Sequence, residues 1–244
     1  MDLVTTAHPD NPALDMTLTR AVLEAVARAT APETVRVFRP GAAVAFGRMD
    51  RNRPGFPAAR RAARARGRTP LVRLGGGHAA AYDRDCVLME VVRAQPGVIG
   101  RLDERFLDLV SVLQDALARA AVEVEIGELP GEYCPGRFSL HLQGGPKVAG
   151  VAQRVISGAS LTTAVLVVGG GDSLRATISD VYAALDLPVD TQLAGALSDR
   201  YPDVSVELIL SSILDVARQR YRAAAAPVGA GVLRRAEELT ALHQ

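Results

Sequence analysis

At 244 residues the chain is long enough to bury a sizeable core as one large domain, alone or with a small appendage, and too short for two separate large ones. Its 28 Lys and Arg balance 27 Asp and Glu, and 48% of its residues are hydrophobic, so no basic footprint for nucleic acid is present. Two cysteines, Cys86 and Cys134, are too few for a disulfide framework or a four-ligand zinc site, which fits a reducing cytoplasm. The start of the chain lacks the basic stretch and apolar core of a signal peptide. The longest apolar runs, such as Thr162 to Gly170, fall short of the roughly 20 residues a membrane helix needs, so no membrane association is expected.

Leu14, Leu18, Val22 and Val26 recur at four-residue steps with Arg20, Glu24 and Arg28 between them, which predicts an amphipathic helix over 13–29. Residues 34–48 read as two short strands joined at Pro40-Gly41. An arginine-rich helix over 57–66 follows, stopped by Gly67. Strands are expected at 70–74 and from Cys86 onward, on either side of a glycine loop, and helical spacing returns over 103–121. Residues 138–143 alternate strictly, with Phe138, Leu140 and Leu142 on one face and Ser139, His141 and Gln143 on the other, as in a half-buried strand. Gly144-Gly145-Pro146 turns the chain into a strand opening at Lys147, and residues 159–170 supply another. From Ser173 onward the pattern is helical, over 173–185, 204–224 and 230–242. The whole is predicted as α+β: a largely antiparallel sheet with helices on one side over 1–172, followed by a helical C-terminal extension or small accessory domain over 173–244.

The loop between the strands expected at 70–74 and from Cys86 onward reads Arg73-Leu74-Gly75-Gly76-Gly77-His78-Ala79. So little side-chain bulk lets a ligand meet backbone N–H groups directly. No Lys-Ser/Thr follows the glycines, and a strand rather than a helix comes next, so neither a Walker loop nor a dinucleotide fingerprint is present.

This stretch, with Asp83, resembles the Arg-x-Thr-Gly-Gly-Gly signature of lipoate-protein ligases and their octanoyltransferase relatives, whose fold is that of the biotin/lipoate-protein ligase catalytic domain. Arg73, Gly76, Gly77, Ala79 and Asp83 match, while Gly75 replaces the threonine, His78 the third glycine and Tyr82 a histidine. Gly47-Arg48 is similar to the family's Gly-Arg-x-Gln strand end, with Asp50 in the glutamine's place. Residues 147–154, Lys-Val-Ala-Gly-Val-Ala-Gln-Arg, resemble the segment whose lysine is catalytic in the family. The resemblance spans roughly residues 13–170. It implies an elongated slot for a lipoyl or octanoyl chain, contact of Lys147 with the reacting carbonyl, and an acceptor lysine on a lipoyl carrier domain or a glycine-cleavage H-type protein. Acyl carrier protein is a further candidate partner.

Two routes reach that product. A ligase activates the free acid with ATP and Mg, and needs a fixed cation where negative charge gathers, the role open to Lys147. A transferase needs no cofactor but requires a nucleophilic thiol. Cys134 stands where some octanoyltransferases of this family carry theirs. Phe138 and Ser139 replace the Asn-Asp pair common in ligases, and the family's His-Gly step is absent, which tilts the expectation toward transfer through a Cys134 thioester. A non-catalytic module that binds lipoate or a carrier is the alternative of another class. If Gly144-Gly145 closes a tight hairpin, Phe138 stands about 13 Å back from the turn, and Cys134 lies farther off unless the Pro135-Gly136 loop folds back. The enzyme reading requires Arg48, Arg73, Gly76, Gly77, His78, Cys134 and Lys147 to line one cleft, with Gly75 and Gly150 giving freedom of approach. His141 is a weaker candidate beside the thiol, and Cys86 reads as a core residue.

Overall fold

The computed structural model describes residues 1–95 and 102–241. Asn11 starts the first helix, α1 (Pro12–Ala27): its side chain accepts from Leu14 N, and Pro12 takes a first-turn position where no N–H is needed. Leu18, Val22 and Val26 of the expected stripe are buried, and α1 lies across two long strands, β6 (Cys86–Gln95) and β10 (Gly158–Val167).

Those strands are the middle of an eight-stranded sheet. On one side of them run β2 (Thr34–Phe38), β1 (Asp2–Val4) and β11 (Ala224–Ala225). On the other run β9 (Lys147–Ile156), β8 (Leu140–Leu142) and β7 (Val124–Ile126). All pairings are antiparallel except those of β1, which runs parallel to β2 and β11. A second sheet of three short strands, in the order β4 (Thr69–Val72), β3 (Ala43–Phe46), β5 (Ala80–Tyr82), sits beside it. The Pro40-Gly41 turn therefore carries the chain from one sheet to the other and does not close a hairpin.

Helices cover both faces of the large sheet, not one as the sequence suggested. The core against α3 (Leu102–Arg119) and α5 (Val206–Tyr221) takes Val37, Met89 and Leu166 from the strands. Leu161 and Val92 turn to α1 and α6 (Ala230–Ala241), while Phe38 and Leu88 join the small sheet with α2 (Phe56–Ala65) and α4 (Gly171–Leu185). The reason is visible in β6, where seven successive residues from Cys86 to Val92 are buried, as in a strand packed on both sides. Residues from Ser173 onward are spread over the whole body: α4 on α2, α5 on α3, α6 on α1, with β11 extending the sheet edge.

Buried charges tie these layers together. Arg36 on β2 pairs with Asp15 of α1 and reaches Glu90 of β6 at 3.5 Å, where burial pushes the Glu90 carboxyl up. Arg68 joins α4 to the small sheet through Thr177 Oγ1 (3.1 Å), the Tyr82 carbonyl (2.7 Å) and Asp83 (2.7 Å). Among the described residues no helix is long and apolar enough to cross a membrane.

Candidate active site

The end of β3 and the glycine loop touch backbone to backbone. A Cβ on Gly47 would lie 1.7 Å from the Gly77 carbonyl oxygen, so no side chain is tolerated there. Gly47 N donates to Asp50 Oδ2 (2.8 Å), and the other carboxylate oxygen of the fully buried Asp50 meets His78 Nδ1 at 2.7 Å. Gly75 packs on Ala152 of β9, where a Cβ would come within 2.8 Å of the alanine methyl, and Gly76 faces open space. Gly77 turns the chain at φ 88°.

Arg73 leaves β4 and spans the loop. Its Nη2 donates to the His78 carbonyl (2.7 Å) and to Cys134 Sγ (3.1 Å). Its Nε is buried and has no hydrogen-bond partner among the described residues. The Pro135-Gly136 loop has thus folded back, and Cys134 lies against the glycine loop. A Cβ on Gly77 would sit 2.7 Å from both Sγ and Arg73 Nη2. Gly77→Ala is therefore expected to part sulfur and guanidinium, and to impose about 1–2 kcal/mol of left-handed strain. The rate of thiol-dependent turnover should fall by about 10²-fold, as such misplacements do, with far less effect on the melting temperature.

Cys134 itself is held at φ 43°, in the left-handed region that non-glycine residues occupy at a cost and that clusters at functional sites. Two contacts enforce it. Its N–H donates to the Tyr182 hydroxyl on α4 (2.7 Å), which in turn donates to the Ala79 carbonyl (2.9 Å). Its carbonyl accepts from Lys147 Nζ at 2.7 Å.

Lys147 is fully buried, at 0% exposure. Its side chain runs past Gly150, where a Cβ would press on Cε at 3.4 Å. The ammonium donates to Glu132 Oε1 (3.0 Å), the Tyr133 carbonyl (3.0 Å) and the Cys134 carbonyl, with the Tyr133 ring centroid 4.9 Å away. All three of its protons are spent on the cysteine loop. Glu132 also accepts from Ser139 Oγ (2.8 Å) and Gly136 N (3.1 Å) through Oε1, and from Leu129 N (3.3 Å) through Oε2.

Beside this cluster lies a cavity of about 560 Å³, in the range of small-molecule sites. Met16, Leu23, Phe56, Leu71 and Ile156 give it apolar walls, and Arg48, Arg73 and Arg154 line it as well. Cys134 is not among the lining residues; it lies behind the Arg73 guanidinium.

The structure thus brings Arg73, Gly77, His78, Cys134 and Lys147 into one contact network, with Gly75 and Gly150 beside it. Arg48 is exposed on the cavity wall with no hydrogen bond to Cys134 or Lys147, and a Cβ on Gly76 would point into open space. His141 faces β7 and Glu125 (3.7 Å), away from the thiol. Cys86 is buried, which pushes its thiol up to about 12. Glu132 and Tyr182 carry no sequence signal for their places, and Asp50 was legible only as a polar residue after Gly47-Arg48.

The architecture is of the α+β class, two sheets with helices outside, and it sets a cysteine beside a glycine loop. Residues 11–186 match the family model of the lipoyl protein ligase A/B catalytic domain, so the chain belongs to that family, as its glycine loop suggested. It is 25% identical over 194 residues to an octanoyl-[GcvH]:protein N-octanoyltransferase of Lysinibacillus sphaericus, covering 78% of this chain and 67% of the relative. It is 24% identical over 213 residues to a lipoyl-[GcvH]:protein N-lipoyltransferase of Listeria monocytogenes, covering 84% and 73%. Neither name specifies an acyl carrier protein. A crystal structure of lipoate-protein ligase A bound with ATP shares the fold, with TM-score 0.77, 18% identity and coverage of 98% of this chain and 94% of that one.

Proposed function

We propose that this protein is an N-acyltransferase that moves an octanoyl or lipoyl group from one carrier-protein lysine to another through a thioester on Cys134. The observation that carries the reading is the Arg73 Nη2 to Cys134 Sγ contact at 3.1 Å on a backbone fixed at φ 43°. A guanidinium stands against the sulfur and donates an N–H to it, the environment in which cysteines serve as nucleophiles. The sulfur attacks the acyl carbonyl, the carbonyl oxygen takes up the negative charge, and the C–N bond then breaks, the nitrogen leaving with the proton that the thiol gave up. Arg73 Nε, buried and without a partner among the described residues, is the donor for that oxygen. The apolar cavity on the other side of Arg73 takes the acyl chain. The donor is an acylated H-type protein and the acceptor a lysine of a lipoyl carrier domain, by analogy with the GcvH-named relatives. Cys134 must remain a thiol, which a reducing cytoplasm maintains.

The ATP-dependent route fits these residues poorly. It needs a lysine cation presented to the ligand, and Lys147 has no proton left to offer. The test is to mix the protein with octanoylated H-type protein without ATP, quench, and record the intact mass. An octanoyl adduct that maps to Cys134 and disappears when an unmodified lipoyl domain is added is expected. Modification of the lipoyl domain only with free octanoate and ATP would overturn the proposal.

A further inference from the structure

Transfer between two lysines requires a group that takes a proton from the incoming amine and gives one to the departing amine. Most groups around Cys134 are unsuited to this. Lys147 has all three protons bound to acceptors, and Glu132 already receives four donors. Burial drives the hydroxyls of Tyr133 and Tyr182 far above their ordinary range. The Arg73 guanidinium carries only donors and offers no lone pair for a proton. His141 turns to Glu125, and Cys86 is buried in the core.

His78 is the exception. Its Nδ1 meets Asp50 Oδ1 at 2.7 Å, and the other Asp50 oxygen is fixed by Gly47 N. A buried carboxylate on Nδ1 makes that nitrogen the N–H donor and leaves the lone pair on Nε2, the same use of a carboxylate that orients catalytic histidines elsewhere. Among the described residues Nε2 has no protein partner, and the side chain keeps 28% exposure. The backbone of His78 is tied to the thiol, because its carbonyl and Cys134 Sγ share Arg73 Nη2.

We propose that His78, positioned by Asp50, is the general acid and base of the transfer. The inference rests on the Cys134 thioester reading. In the second half-reaction the neutral amine of the acceptor lysine attacks the thioester carbonyl and a C–N bond forms. The C–S bond breaks with its electron pair on sulfur, beside Arg73, and the surplus proton on nitrogen passes to His78 Nε2. The first half-reaction runs the same steps in reverse, with the imidazolium protonating the departing lysine nitrogen of the acylated carrier.

The probe that separates the two readings is p-nitrophenyl octanoate, whose leaving group departs as an anion and needs no acid. His78→Ala should be acylated on Cys134 by this ester at a rate within a few-fold of the native protein, and should then pass octanoyl to a lipoyl-domain lysine about 10²-fold or more slowly. Free imidazole should restore part of that rate. Asp50→Asn should slow the same step in the native background and add nothing in the His78→Ala background, as a positioning residue must. Failure of the native protein to acquire octanoate on Cys134 would sink the thioester reading itself. Normal Cys134 acylation with lysine transfer unchanged in His78→Ala would sink only the role of His78. His78→Gln, similar in bulk, controls for loop collapse: if it transfers at the native rate while His78→Ala does not, the histidine is structural and the proposal is wrong.

Discussion

Cys134→Ser is expected to reduce acyl transfer from an acylated carrier by on the order of 10⁴-fold or more, the scale on which a catalytic nucleophile is lost. The fold should survive, because what holds residue 134 in place is its backbone: the N–H on Tyr182 and the carbonyl on Lys147 are indifferent to the side chain. The half-buried side chain packs at the margin of the small-sheet core and its sulfur accepts from Arg73, a bond that a hydroxyl of similar size can also accept. Serine fails as a nucleophile because an alkoxide is far harder to form than a thiolate, and the group that meets the side chain of residue 134 is the Arg73 guanidinium, which donates protons and takes none. The measurement is lipoyl-domain octanoylation followed by gel shift or mass spectrometry, with the melting temperature of both proteins recorded in parallel. A ligase would behave differently. With free octanoate and ATP its adenylate forms without any thiol, so Cys134→Ser would keep near-native activity in that assay.

The parts of this arrangement that could be read in the sequence are those fixed by short-range rules. The Leu18, Val22 and Val26 spacing gave α1, and Gly67, at φ 69°, does end α2. Lys147 was singled out by the resemblance of residues 147–154 to the family's lysine segment, and Gly150 indeed leaves the space its side chain occupies. Long-range placement was less legible. Reading residues 138–143 as a half-buried strand put Ser139 and His141 on a solvent face, yet Ser139 is sealed against Glu132 and His141 is buried. The strand is only three residues long, with an irregular register between Leu140 and His141, so the segment before it is free to loop inward. The distance estimated along a regular ladder therefore did not apply to Cys134. The small sheet escaped notice for a related reason: β5 is three residues long and lies between a glycine loop and a turn, too short for any period to register. The cause of the inward loop, the Glu132 carboxylate under the Lys147 ammonium, joins residues 15 positions apart, and no local pattern announces such a pair.

That pair makes Lys147→Met the variant with the largest expected effect on stability. Methionine fits the apolar stem's path beside Gly150 but offers no donor, so Glu132 would be left as a buried carboxylate without a counter-charge and the Tyr133 and Cys134 carbonyls would lose their partner. Breaking a buried ion pair from one side costs about 3–5 kcal/mol, which urea unfolding resolves easily. Adding Glu132→Gln should recover part of that loss, because the neutral amide still accepts from Ser139 Oγ and Gly136 N without an unpaired charge. Activity should not recover with it. The Cys134 carbonyl would still lack the Nζ donor that helps hold φ at 43°, and the thiol would lose its fixed station beside Arg73. The rate of Cys134 alkylation by iodoacetamide reads that station without any carrier protein and should differ from native in the doubly substituted protein. A lysine whose work was confined to the substrate carbonyl would give the opposite pattern: unchanged stability, unchanged alkylation and a loss confined to turnover. The saturated ammonium argues for the first pattern, in which Lys147 serves catalysis by holding the nucleophile's loop in place.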